Sequence, residues 1–169
     1  MNYHKIEKHS VANGIGIRVV LWVSGCTCYC KGCQNPQTWS FQGGQLFDEK
    51  AKQELFEALD KSYIQGITFS GGHPFEKQNL TTVYCLAKEI KEKFPTKDIW
   101  LYTGYTWEEI FENDIREIWR TLPWIDVLID GKFIEEQKDL TLKWRGSSNQ
   151  RVIDVKKSLE SNNIVLYCD

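Results

Sequence analysis

The sequence has no apolar run of transmembrane length, and no signal peptide is visible: Met1-Asn2-Tyr3-His4-Lys5 leads straight into polar residues. A membrane partner is therefore not expected, and the chain reads as cytoplasmic, where thiols stay reduced. An excess of one charge is also lacking. Lys and Arg number 21 against 23 Asp and Glu, a formal net charge of −2, so there is no general basic footprint for nucleic acid. The 169 residues show no internal repeat, low-complexity tract or linker, and their length suits a single domain, 1–169, around one core.

Cysteine is what the chain has in concentration. Four of its six cysteines lie in Cys26-Thr27-Cys28-Tyr29-Cys30-Lys31-Gly32-Cys33. The apolar segment Val19-Val20-Leu21-Trp22-Val23 reads as a buried strand ending at Ser24-Gly25. The thiols thus fall in a loop at a strand's C-terminal end, where open α/β folds carry their chemistry. Cys26, Cys30 and Cys33 form the spacing CxxxCxxC, with Cys28 inside it. Three thiolates on one loop can hold three corners of a cubane 4Fe-4S cluster and leave one iron open, as catalytic metal sites do. The alternative is structural zinc on Cys26, Cys28, Cys30 and Cys33, although zinc sites usually draw cysteine pairs from separate places. Cys85 stands far downstream in a helical pattern, where it reads as a packed thiol, and Cys168 is penultimate. A disulfide is a third reading. Cys28 and Cys30 are too close for an easy bridge, and nothing suggests secretion.

The rest of the chain alternates. Asn13-Gly14-Ile15-Gly16 reads as a turn entering the first strand. Asn35-Pro36-Gln37-Thr38-Trp39 and Gly43-Gly44 break regular structure, and Asp48 is a good N-cap for a helix with Ala51, Leu55, Ala58 and Leu59 on one face. A strand over 66–69 ends at Ser70-Gly71-Gly72-His73-Pro74, and a helix follows over about 76–94. A strand over 98–102 exits at Thr103-Gly104-Tyr105, and Thr106-Trp107-Glu108-Glu109 reads as a capping box. A helical piece from about Asp114 to Thr121 stops before Pro123. The strand 126–129 exits at Asp130-Gly131-Lys132, and 151–155 and 164–167 read as further strands around a short helix. This β-α-β-α-β-α-β order predicts an α/β fold with a parallel sheet and right-handed crossovers. All exits of a parallel sheet lie on one side, so the cysteine loop, Gly-Gly-His-Pro, Thr-Gly-Tyr and Asp-Gly-Lys should converge on one site.

The CxxxCxxC loop after a first strand resembles the radical S-adenosylmethionine superfamily. Five further stretches narrow the resemblance: Asn13 to Arg18, Ser70 to Pro74, Tyr102 to Tyr105, Asp130 to Phe133, and Trp144-Arg145-Gly146-Ser147-Ser148-Asn149-Gln150. With these, nearly the whole chain resembles the activating proteins of anaerobic ribonucleoside-triphosphate reductase, which are glycyl-radical-enzyme activases. The resemblance implies a radical-SAM-like partial (β/α) barrel with a mostly parallel sheet. It implies a 4Fe-4S cluster on Cys26, Cys30 and Cys33 and S-adenosylmethionine against Gly32, Cys33, Gln34, Gly71 and Gly72. No catalytic residue beyond the cluster ligands is implied. The reductase is the protein substrate, through one of its glycines, and reduced flavodoxin or a similar donor supplies the electron.

Two positions depart from the pattern. His73 stands where an acid is common, and Gly32 where the wider superfamily often has an aromatic residue. A protein substrate favours an open-faced site. Trp39, Trp107, Trp124 and Trp144 read either as anchors for that partner or as core. Asp130 and Lys132 read as ligand contacts or as a mutual ion pair, and Lys143, Arg145 and Arg151 as a docking loop or a solvated turn. An iron–sulfur electron carrier with Cys28 as fourth ligand, and a zinc-stapled interaction module, are the competing classes.

Overall fold

The computed structural model describes residues 1–112 and 115–167. The expected helix start at Asp114, and Cys168, lie outside them. The chain forms β1 (Asn2–Ser10), β2 (Ile17–Val23), β3 (Gln45–Leu46), α1 (Glu49–Leu59), β4 (Ile64–Gly71) and α2 (Lys77–Lys93). It continues through β5 (Asp98–Tyr102), α3 (Trp107–Glu112), α4 (Arg116–Thr121), β6 (Val127–Asp130), β7 (Arg151–Asp154) and α5 (Val155–Ser161). One mixed α/β sheet takes the order β3-β1-β2-β4-β5-β6-β7. Its centre, β2-β4-β5-β6, is parallel, while β1 and β3 on one side and β7 on the other are antiparallel.

Alternation along the strands separates two faces. Val19, Leu21, Val23, Ile67, Phe69, Ile99, Leu101, Leu128 and Ile153 join the main core, together with Leu55, Val83 and Ile118 from the helices. The other face carries Arg18, Thr68 and Trp100, all fully buried, with Val127, Ile129 and Val152. Among the described residues no helix covers this second face at its exit end. Loops and aromatic rings do so, with Trp144 and Tyr167 standing edge-on to Trp100 at 5.0 and 5.3 Å.

Local chemistry sets the helix starts. Asp48 accepts from the Ala51 N–H at 2.9 Å. Thr106 and Glu109 cap each other's main chain at 2.8 and 3.2 Å, a reciprocal capping box. Asp154 ends β7 and caps α5 by accepting from Lys157 N–H at 3.1 Å, so Val155 belongs to a helix.

Three expectations are corrected, and for three tryptophans the structure decides between the two readings. Residues before the glycine turn form the nine-residue strand β1, whose polar sequence hides it because it lies near the sheet's edge and buries little beyond Tyr3 and Ser10. Residues 164–167 contribute only an isolated bridge from Leu166 to Ile153. Cys85 is exposed, one step round α2 from the buried Leu86. Trp107 is core, and Trp124 and Trp144 pack against the two cores, so they do not stand out as anchors.

Candidate functional site

The end of β2 is stitched into place by main-chain bonds. Gly25 N–H donates to Thr38 O at 2.8 Å and Cys26 N–H to Trp39 O at 3.1 Å. From the other side, Gly72 N–H donates to Val23 O and His73 N–H to Gly25 O, both at 2.8 Å. The cysteine loop therefore shares its backbone hydrogen bonds with the exit of β4. The parallel register brings the exits of β5 and β6 alongside. Cys26, Cys28, Cys30 and Cys33 line one cleft of about 110 Å³ with Gly71-Gly72-His73, Thr103-Gly104 and Gly131-Lys132-Phe133. The four predicted strand exits thus meet. Beside them, on the second face of the sheet, opens a cavity of about 410 Å³ lined by Asn13, Trp22, Ser70, Trp144 and Arg145. Tyr102, Phe133 and Gln150 line both.

A buried polar chain braces the cleft from below. Glu76 accepts from the Thr27 N–H at 2.8 Å and the Thr27 hydroxyl at 2.6 Å. His73, 2% exposed, places Nδ1 3.4 Å from Glu76 Oε1 and Nε2 2.8 Å from Thr103 Oγ1. Burial alone would raise the Glu76 carboxyl, but the His73 and Thr27 hydrogen bonds outweigh it and hold the group at about 2. Asn79, also buried, donates to Ser24 O at 2.9 Å and His73 O at 3.1 Å. His73 at the acid position is thus a strut between β4's exit, β5's exit and the cysteine loop. Thr27, Glu76 and Asn79 carried no sequence signal, because each acts through a partner that only the fold supplies.

The thiols are unequal. The Cys28 thiol beside it holds the Cys26 thiol down against the effect of burial. The same pairing with Cys26, and then burial, push Cys28 up. Burial also raises Cys30. Cys28 Sγ lies 4.0 Å from His73 Nδ1.

The other expected contacts divide. Cys33, Gly71 and Gly72 line the cleft, while Gln34 lines the neighbouring cavity. Gly32 lines neither; its φ of +71° makes the turn, and a Cβ there would meet Glu135 Oε1 at 2.7 Å. A Cβ on Gly72 would meet Gly25 O at 2.5 Å, so this glycine permits close approach to the cysteine loop itself.

Asp130, 1% exposed, does not pair with Lys132. It accepts from Arg151 Nε at 3.1 Å and from Trp107 N–H at 2.8 Å, tying β6, β7 and α3 together. The stretch from Trp144 to Gln150 is a folded wall: Gln150 accepts from Gly146 N–H at 2.9 Å and donates to Gly131 O at 3.0 Å. Asn149 donates to Lys132 O at 2.8 Å. The glycine turn before β2 has a role as well. It closes over Arg18, which donates to Ile15 O, Thr68 Oγ1 and Ile67 O at 3.0, 2.9 and 2.8 Å and lies over the Trp100 ring at 5.2 Å.

The donor set suits an iron–sulfur group. Three thiols in CxxxCxxC spacing open onto one cleft among glycines and main chain. Among the described residues no three His, Cys, Asp or Glu side chains are drawn together around a single ion point. Trp39 also lines the cleft; its Nε1 is buried and has no hydrogen-bond partner among the described residues.

Comparison with known proteins gives the same direction. Residues 12–153 match the family described as a 4Fe-4S single cluster domain. An anaerobic ribonucleoside-triphosphate reductase-activating protein of Haemophilus influenzae is 47% identical over 152 residues, 89% of this chain and 96% of that protein. Proteins of the same name from Enterobacteria phage T4 and Escherichia coli K12 are 46% and 40% identical over 154 residues. Those matches span 90% of this chain and 93% and 97% of the relatives.

Proposed function

This chain belongs to the family of anaerobic ribonucleoside-triphosphate reductase-activating proteins, and on that premise we propose how its residues do the family's work. It activates the reductase by generating a glycyl radical on it. When bound, a 4Fe-4S cluster and S-adenosylmethionine supply a one-electron reductive cleavage and, through it, hydrogen abstraction from a glycine of the reductase. Cys26, Cys30 and Cys33 hold the cluster. Cys28, its sulfur 4.0 Å from His73 Nδ1, stays off the iron and leaves one position open. The observation that supports this most directly is the meeting of the CxxxCxxC loop with three glycine-bearing strand exits in one cleft.

Around that cleft the chain positions and excludes water rather than moving protons. Gly71 and Gly72 offer main chain toward the cofactor's methionine end, Cys33 lies beside them, and Gln34 reaches it from the adjoining cavity. Gly32 contributes through the turn that aims Cys33. The 410 Å³ cavity, walled by Trp22, Tyr102, Phe133 and Trp144, is where an adenosyl group and an extended glycine-bearing segment would meet. The finer architecture we infer is a partial (β/α) barrel of one domain whose concave face is this second face of the sheet. Among the described residues no helix is long and apolar enough to cross a membrane. We place the protein in the cytoplasm, with reduced flavodoxin or a similar donor and without nucleic-acid or membrane partners. Anaerobic reconstitution followed by assay for 5'-deoxyadenosine tests the proposal. Release of 5'-deoxyadenosine and methionine on reduction is expected; a protein that takes up only zinc contradicts it.

A further inference from the structure

The 410 Å³ cavity has a floor of Trp22, Ser70 and Tyr102, from β2, β4 and β5. Over the β2 and β4 side, Ala12 and Asn13 of the turn between β1 and β2 form one wall. Thr68 Oγ1 fixes that turn by donating to Asn13 O at 2.7 Å. Over β5 the wall is Leu142, Trp144 and Arg145. It is fixed where the Tyr102 hydroxyl donates to Trp144 O at 2.6 Å and Asp139 N–H to Gly146 O at 3.2 Å. Each wall carries an exposed aliphatic side chain close to its lining residues. Val11, next to Ala12, is 75% exposed, and Leu140, two residues before Leu142, is 83% exposed. No other large hydrophobic side chain among the described residues is as exposed as either. A lone exposed aliphatic is ordinary, but here the two extreme cases stand on the two walls of one cavity. Arg145 is the one charged residue lining the cavity; it donates to Gln150 O at 2.9 Å and makes no ion pair among the described residues. Its spare donors, with the amides of Asn13, Gln34 and Asn35, suit the carbonyl oxygens of an extended main chain. A cavity of this size takes a ligand of drug-like dimensions, so a folded protein cannot enter it. A short segment can, while the body that carries it rests on the rim.

Resting on the reading of the adjoining cysteine cleft as the site of radical transfer, we propose that the turn 11–15 and the loop 138–145 are the docking surface for the reductase, with Val11 and Leu140 as its anchors and the glycine-bearing segment held between them. The cavity meets the cleft at Tyr102, Phe133 and Gln150, so a segment seated in it comes beside the thiols. Both walls are already tied to the sheet, so docking orders little of this chain's backbone.

Val11→Asp and Leu140→Asp change exposed side chains and should leave the fold intact. The control is Leu46→Asp, at a 66% exposed leucine on the edge strand β3. Parent, control and the Val11→Asp/Leu140→Asp double variant are reconstituted anaerobically and matched for iron and sulfide content. Glycyl radical formation is then followed by EPR against reductase concentration. The half-saturating concentration should rise about tenfold in the double variant, with the rate at saturation near the parent's. Leu46→Asp should match the parent in both. An unchanged half-saturating concentration in the double variant, or an equal rise in Leu46→Asp, overturns the proposal. So does a double variant that loses only self-association, which would make the rim a contact between copies of this chain. If the parent forms no radical on the reductase at any concentration, the reading of the cleft fails first and takes the proposal with it. Should the double variant not fold, hydrogen exchange of the parent decides. Protection of 11–15 and 138–145 on adding the reductase is expected, and protection confined to other segments overturns the proposal.

Discussion

Cys28 stands between two proposed iron ligands in sequence, and its neighbours give it a seat of its own. His73 Nδ1 lies 4.0 Å from its sulfur, and a Cβ built on Gly104 would overlap that sulfur. Cys28→Ala should therefore keep iron, sulfide and the cleavage of S-adenosylmethionine. Alanine at Cys26, Cys30 or Cys33 should lose all three. Metal analysis and methionine release check both halves; loss of metal from Cys28→Ala would mean a closed four-thiolate site. The seat itself predicts a coupling. Gly104→Ala crowds Cys28 and should cost about 1–3 kcal/mol, as overpacking does. In a Cys28→Ala background most of that cost should vanish, because the clashing atom is gone. Denaturation of the four proteins in the cycle measures it, and additive losses would place the strain elsewhere. The sequence made Cys28's exclusion from CxxxCxxC legible. Its partners were not legible, since Gly104 lies 76 positions away on another strand's exit.

Elements carry the next level. If Gly72 only opened room for a ligand, Gly72→Val would weaken S-adenosylmethionine binding and spare the cluster. The structure predicts more. A side chain there meets the carbonyl of Gly25, one residue before Cys26, so β4's exit would push the cysteine loop away. Gly72→Val should lower iron content as well as affinity, and iron analysis beside calorimetric titration separates this from a pure binding defect. At the exit of β6, Asp130→Ala should cost on the order of 3 kcal/mol, the scale of breaking a buried pair, since Arg151 loses a buried carboxylate and Trp107 N–H its acceptor. A loss within experimental error in urea denaturation would contradict that anchor. The caps at Asp48 and Thr106 and the positions of the parallel strands could be read directly, because capping and hydrophobic runs are local signals. The strand β1 could not, because a polar strand near an edge has no local signature. The antiparallel β7 could not either, because strand direction depends on how the wall from Trp144 to Gln150 folds back.

On the scale of the whole molecule, one sheet is closed by helices on one face and left to loops and aromatic rings on the other at the exit end. That asymmetry puts the cysteine cleft and its 410 Å³ neighbour on a surface another protein can reach. The convergence of the strand exits was legible from topology alone, and the family stretches from their residues. How those stretches work was not. The Asn13 to Arg18 turn closes over a buried arginine, and the Trp144 to Gln150 stretch walls the cavity; both roles need contacts across the sheet. The central claim is that this cleft delivers a radical to a glycine of the reductase. EPR of the reduced, reconstituted protein mixed with S-adenosylmethionine and the reductase tests it most directly. A doublet from one α-hydrogen is predicted, collapsing when the reductase is made with α-deuterated glycine. An intact, reducible cluster with no protein radical on the reductase would contradict the account.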